Sequence, residues 1–204
     1  MIKAGAFIFG LCALASSAVS AQTYPSRNIT LIIPFAAGGS NDIVGRTIGK
    51  KLADAFGQPV VVENRSGAGG VIGAAAVAAA PPDGYTLLLV SSTFTINQAI
   101  KKSMPFDSIK DFTPVAFIAG SPLLLTASNT LRVGSAKELF ELARSRPGQI
   151  TYASAGLGSI NQIAAELIAL SAGVKFLHVP YKGGAPALTD LLGGHVDGAP
   201  VPEQ

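Results

Sequence analysis

The stretch Ile29–Asp42, ITLIIPFAAGGSND, leaves the chain little choice of architecture. Ile29, Leu31, Ile32 and Ile33 form an apolar, β-branched run as long as a central parallel strand, and Pro34 ends it. Ser40 or Asn41 is placed to cap a following helix, whose apolar Val44, Ile48, Leu52 and Phe56 recur every four residues, with Gly57 as its stop. Between strand and helix, Ala36, Ala37, Gly38 and Gly39 are too small to obstruct the backbone. Several N–H groups at a positive helix end can therefore face a ligand, and a carboxylate or phosphate suits that geometry.

The arrangement recurs. Pro59–Glu63 reads as a second apolar strand, and the Gly-rich turn Asn64–Gly70 leads into an Ala-rich helix over Val71–Ala80. After the turn residues Pro81-Pro82-Asp83-Gly84, Tyr85–Val90 reads as a third buried strand ending at Ser91-Ser92-Thr93. Three such strands joined by helices predict a parallel sheet whose crevice lies at the carboxyl ends of the strands, where the loops 34–42, 64–70 and 91–97 all open. Val115–Ala119 and Leu123–Ala127 are two further short strands by composition, around Gly120-Ser121-Pro122, and a crossing between domains is expected there.

A second series follows. Ser135 and Glu138 have capping-box spacing and open a helix to about Ser145; Pro147-Gly148 turns the chain into the strand Ile150–Ser154. The small-residue loop Ala155–Ser159 precedes a helix with Ile163, Leu167 and Leu170 on one side, then come the strand Val174–Val179, the loop Pro180–Pro186 and a short helix Ala187–Leu192. Gly198-Ala199-Pro200-Val201-Pro202 carries two prolines and is not expected to serve as a central strand. Two separated copies of strand, small-residue loop and helix favour a ligand held between two lobes over glycines that only let helices pack close.

Residues 1–21 have the charge of Lys3, an apolar core over Ala6–Val19 and the small residues Val19-Ser20-Ala21, which is the pattern of a secretory signal peptide. The one cysteine, Cys12, lies inside it, so the remaining chain relies on an ordinary core rather than disulfides, as a bacterial periplasmic protein does. With Lys+Arg 15 against Asp+Glu 12, the balance is too mild and too evenly spread for a nucleic-acid or anionic-membrane partner.

Motifs for chemistry are sparse. Gly67-Ala68-Gly69-Gly70-Val71-Ile72 lacks the third glycine of a dinucleotide fingerprint, and no Gly-Lys-Ser/Thr follows a Gly-rich loop. Ser154 lacks the first glycine of a nucleophile elbow. His178 and His195 are the only histidines; His178 alternates with apolar neighbours, as a satisfied core or rim histidine does, and no metal site or cofactor is expected. Asp42, Asp107, Asp190 and Asp197 lie beside turns and helix ends, where capping outweighs acid–base work.

Several of these stretches together resemble the Bug (TctC-like) family of periplasmic solute-binding proteins, which serve tripartite tricarboxylate transporters. They are Tyr24-Pro25-Ser26-Arg27; Pro34–Gly39 with Asp42 and Arg46; Val62-Glu63-Asn64-Arg65 with Gly67–Gly70; and Pro82–Thr86. Tyr152-Ala153-Ser154 with Gly156, Gly158 and Ser159, and Val179–Gly183 with Leu188, Asp190, Leu191 and Gly194, complete the likeness. The resemblance implies an α/β, two-lobed Venus-flytrap fold with parallel-type sheets, in which a small carboxylate is clamped largely by main-chain amides and ordered water. Carried onto matching positions, the first-lobe contacts are Phe35, Ala36, Gly39, Ser40 and Asp42, with Ser91 and Ser92 on the floor. Those of the second lobe are Ser154, Gly158, Ser159 and Tyr181. Gln162 stands where the family often has histidine, and Gln98 and Gly184 replace a common proline and a common Ser or Thr.

The family's proteins continue well beyond this length, so the expectation is a C-terminally shortened chain. Residues 22–121 form its first lobe, 122–197 its second, and 198–204 a non-family tail. The expected role is that of a monomeric, non-catalytic periplasmic carboxylate-binding protein that docks on membrane permease subunits. The rivals are a secreted α/β hydrolase using Ser154 or Ser159, and a ligand sensor for a membrane receptor.

Overall fold

The computed structural model describes residues 23–202; the expected signal peptide lies outside the described residues. Two sheets organise the chain into two lobes. In the first, β1 (Ile29–Ile33) lies between β2 (Val60–Asn64) and β3 (Thr86–Leu88), all parallel. Helices α1 (Ser40–Phe56) and α2 (Val71–Ala78) make the crossovers, and α3 (Thr93–Ile100) follows β3. Ile29, Leu31, Ile32 and Ile33 are all buried, as a strand covered on both faces requires. Each such side chain contributes about 1.5–3 kcal/mol relative to exposure.

Glycines set how closely α1 sits on this sheet. Its buried residues are Asp42, Gly45 and Gly49, not the apolar set at four-residue spacing, and Phe56 is 41% exposed. A Cβ at Gly45 would strike the Ile33 side chain, and one at Gly49 would come within 3.1 Å of Val62. The helix also begins without a side-chain cap: its N-cap is Gly39, and Ser40 is already its first residue, so neither Ser40 nor Asn41 caps it as expected.

In the second lobe the sheet order is β4-β7-β5-β6, from β4 (Leu123–Ala127), β5 (Thr151–Ser154), β6 (Leu177–Pro180) and β7 (Gly198–Pro202). Helix α4 (Ala136–Ser145) opens with the expected capping box: Ser135 Oγ accepts from the Glu138 amide, and Glu138 reaches back to the Gly134 amide. Leu139 and Ala143 of α4 pack with Ile150, Ala169 and Val174, and a second cluster joins Ala153, Ala187, Leu191, Val196 and Ala199. Helix α5 (Ile160–Ala172) buries Asn161, Ala165 and Ala169, while Leu167 and Leu170 face outward, and α6 (Gly184–Leu192) closes the series.

Two expectations fail here. Residues 115–119 are irregular, with Val115 84% and Phe117 86% exposed. Among the described residues no strand runs beside them to complete a ladder, and backbone groups without partners do not hold strand geometry. Conversely, Gly198–Pro202 is an interior strand rather than a tail. Ser128 N–H donates to the Asp197 carbonyl across the β4–β7 pair, so by antiparallel alternation residues 199 and 201 turn their amides to β4 while 200 and 202 turn theirs away. The two prolines thus lack only amides aimed at the β5 side, where pairing already ends at Tyr152 and Gly198.

Candidate anion cleft between the lobes

The loop between β1 and α1 is held from beneath by Asp42. This carboxylate, 4% exposed, accepts from the Gly38 amide, Arg46 Nε and Asn64 Nδ2, each at 2.9 Å. Burial alone would raise its pKa, but the hydrogen bonds from Arg46, Gly38 and Asn64 outweigh it and leave the group below its ordinary value. Asn64 also donates to the Phe35 carbonyl, 3.0 Å away, so the loop's shape is fixed by β2.

A second helix end meets this loop. The N-cap of α6 is Gly183, again with no side-chain cap, and a Cβ at Gly39 would lie 3.6 and 3.7 Å from the amide nitrogens of Ala185 and Gly184. Two uncapped helix N-termini therefore converge, one from each lobe. The Ala36 amide donates to the Lys182 carbonyl at 3.2 Å, and a Cβ at Gly183 would come within 2.9 Å of the Ala36 nitrogen, so no larger residue permits this approach.

On the far side of the crevice, α3 grips the start of α5. The Ile160 amide donates to Thr93 Oγ1 at 3.1 Å, and Ser159, the N-cap of α5, accepts from the Gln162 amide. Asn97 Nδ2 donates to the Gly69 carbonyl at 2.8 Å, while its buried Oδ1 has no hydrogen-bond partner and abuts Gly158. Gly158 sits at φ +78°, and a Cβ there would lie 2.5 Å from that oxygen.

A cleft of about 370 Å³ opens chiefly in the second lobe, lined by Ser154, Ala155, Asn161, Gly184, Leu188, Pro200 and Val201, with Ser40 contributing from the first lobe. Ser154 Oγ lies 2.6 Å from His178 Nε2, accepts from the Gly156 amide at 3.1 Å and is 3.2 Å from the Gly156 carbonyl. The His178 ring stacks on Tyr152, with centroids 4.8 Å apart, and Tyr152 donates its hydroxyl to Glu166. Burial lowers the His178 pKa and keeps the imidazole neutral, although Glu166 pulls the other way.

Of the residues expected to contact ligand, Ser40 and Ser154 line this cleft, and Gly39 stands where the helix ends meet. Phe35 is 6% exposed and, with Ser91, lines a separate cavity of about 10 Å³ beneath Gly70. Ser92 is exposed at the N-cap of α3. The Ala36 amide and the Asp42 carboxylate are spent on the loop contacts described above, and Ser159 on capping α5. Gly158 gives its amide to Gln162 Oε1, and Tyr181 gives its hydroxyl to Asp190, which with burial raises the phenol to about 12. His178, Asn161, Thr93 and Asn97 are additions; the partnership of His178 with Ser154 follows from the parallel register that sets Tyr152 beside His178, a pairing that no local motif announces.

Comparison with known proteins agrees with this architecture. The model of the tripartite tricarboxylate transporter family receptor matches residues 44–202. BugT of Bordetella pertussis is 42% identical over 191 residues, covering 93% of this chain and 59% of BugT. Among solved structures, an R. palustris protein with adipate aligns at TM-score 0.84 and 39% identity, covering 88% of this chain and 60% of that one. The periplasmic binding protein BugD aligns at 0.84 and 36% identity with the same coverage. MatC from Rhodopseudomonas palustris with bound malate aligns at 0.82 and 35% identity, covering 88% of this chain and 61% of that one. The chain therefore spans about three-fifths of the length of these relatives.

Proposed function

The chain belongs to the tripartite tricarboxylate transporter receptor family, and from that premise we propose that it captures a small carboxylate in the periplasm and presents it to membrane permease subunits. The observation that carries the reading is the meeting of two uncapped helix N-termini, at Gly39 and Gly183, beside a cleft with few charged side chains. Each helix end favours an anion by roughly 0.3–1 kcal/mol when exposed and up to about 2 when partly buried. Backbone amides at such ends donate directly to carboxylate oxygens. The relatives solved with adipate and malate support the choice of a carboxylate over a phosphate.

Binding, rather than hydrolysis, is the reading the second-lobe geometry favours. His178 stands beside Ser154 as a hydrolytic serine would require, but the neighbouring carboxylate of Glu166 accepts from Tyr152. A triad needs that carboxylate on the imidazole.

Substitution at Gly39 tests the cleft. Its φ of −83° suits any residue, and a Cβ there meets nothing closer than 3.6 Å, so Gly39→Ala is expected to retain binding. The γ-carbons of Gly39→Val would fall between the helix ends and are expected to abolish it. Calorimetric titration with a panel of di- and tricarboxylates checks this, and equal affinity of Gly39→Val and the unaltered protein would overturn the reading.

A further inference from the structure

Apolar side chains make most of the cleft wall. Leu124, Leu188, Pro200, Val201 and Pro202 line it, and among the described residues no charged side chain does. The polar side chains of its second-lobe part are committed within the protein. Ser154 is 2% exposed, its hydroxyl enclosed by His178 and Gly156, and Asn161 donates its side-chain amide to the Pro200 carbonyl, 2.6 Å away. The two uncapped helix ends reach the wall at one place, where Ser40 begins α1 and Gly184 begins α6.

A second place for an anion is missing from the neighbouring helix end. The start of α5 is closed by side chains: Ser159 Oγ accepts from the Gln162 amide, Thr93 Oγ1 from the Ile160 amide and Gln162 Oε1 from the Gly158 amide. Of the nearby basic residues, Arg46 is engaged with Asp42 and Asn64, and Lys182 does not line the cleft. The wall thus suits one negative charge at the ends of α1 and α6 and uncharged, apolar matter elsewhere.

Resting on the carboxylate-binding reading, we propose that the ligand is a monocarboxylate with an apolar body, its carboxylate at the ends of α1 and α6 and its hydrocarbon part against Leu124, Leu188 and Val201. A second carboxylate carried along this wall loses water without gaining a cation, whereas a methyl end buries apolar surface there.

The test is calorimetry on the full chain with acids of equal carbon number that differ by one terminal carboxylate: butyrate against succinate, hexanoate against adipate, and octanoate against suberate. Within each pair the monocarboxylate is expected to bind roughly tenfold tighter or more. Its affinity should rise about two- to fourfold for each added methylene, while that of the dicarboxylates stays nearly flat. Leu188→Lys places a cation on the apolar wall and is expected to raise adipate affinity and lower that of hexanoate; a cooperative thermal melt shows that the variant is folded. Dicarboxylates binding the unaltered protein as tightly as monocarboxylates, or monocarboxylate affinity independent of chain length, would overturn the proposal without need of any variant and leave carboxylate capture standing. A hexanoate-to-adipate ratio unmoved in folded Leu188→Lys would overturn it as well. Binding confined to tricarboxylates would overturn this proposal alone, and binding of no mono-, di- or tricarboxylate would overturn the carboxylate reading with it.

Discussion

Asp42 carries more of the first-lobe loop than any residue exposed on it. It holds the Gly38 amide, Arg46 and Asn64 in one place, and Asn64 in turn holds the Phe35 carbonyl. Asp42→Ala leaves those donors without partners and is expected to cost about 2–3 kcal/mol in urea unfolding. The pH dependence has a definite sign. The folded carboxyl titrates below its ordinary 3.8, so its contribution is complete above that value and is lost as the pH falls beneath it. Acid titration of stability should therefore be less steep below pH 3.8 in the variant than in the unaltered protein. The sequence marked Asp42 as a residue beside a helix start, and its role as a brace for the loop follows from that position. Its partner Asn64 sits at the end of another strand, and their meeting depends on the β1–β2 register, which pairs Ile33 with Asn64.

At the scale of elements, α5 shows how small residues decide which face is buried. Ala165 and Ala169 face inward at 4% and 6% exposure, whereas Leu170 is 79% exposed. Leu170→Ala is expected to change stability by under about 0.5 kcal/mol, whereas Ala165→Leu should destabilise by roughly 1–3 kcal/mol through overpacking. Thermal or urea melts of the two variants check the contrast. Apolar spacing revealed that this helix exists but not its orientation, because a leucine row reads the same whether it faces a core or solvent. The alternation of strands and helices was legible from the β-branched run at Ile29–Ile33 onward, as was the capping box at Ser135. Strand β7 was not, because a proline is judged by its own missing amide, while the direction of that amide is fixed by parity with Ser128, about seventy residues earlier. The same applies to the site: Gly39 and Ser40 are local features, but the convergence of α1 with α6 is a product of tertiary structure.

Across the whole molecule, two lobes touch through backbone at Ala36 and Lys182 and through Thr93 and Ile160, and the cleft in the second lobe reaches the first at Ser40. A ligand held by both lobes binds the folded state alone, and at a concentration of 100 times its Kd is expected to stabilise the protein by about 2.7 kcal/mol. A far-UV thermal melt with and without the preferred carboxylate measures this, and the transition should move upward with ligand concentration. The placement of β7 also fixes an order of events along the chain. Among the described residues the first-lobe sheet takes its three strands from Ile29 to Leu88, but β4 cannot be flanked until β7 arrives, as the bond from Thr126 to the Ala199 carbonyl spans 73 positions. Closing so long a loop costs entropy before any pairing repays it, so β1, β2 and β3 can pair early while β4 waits for β7. While the chain is being made, the first three strands can therefore stand paired when most of the cleft wall, which β5, β7 and α6 supply, has yet to form.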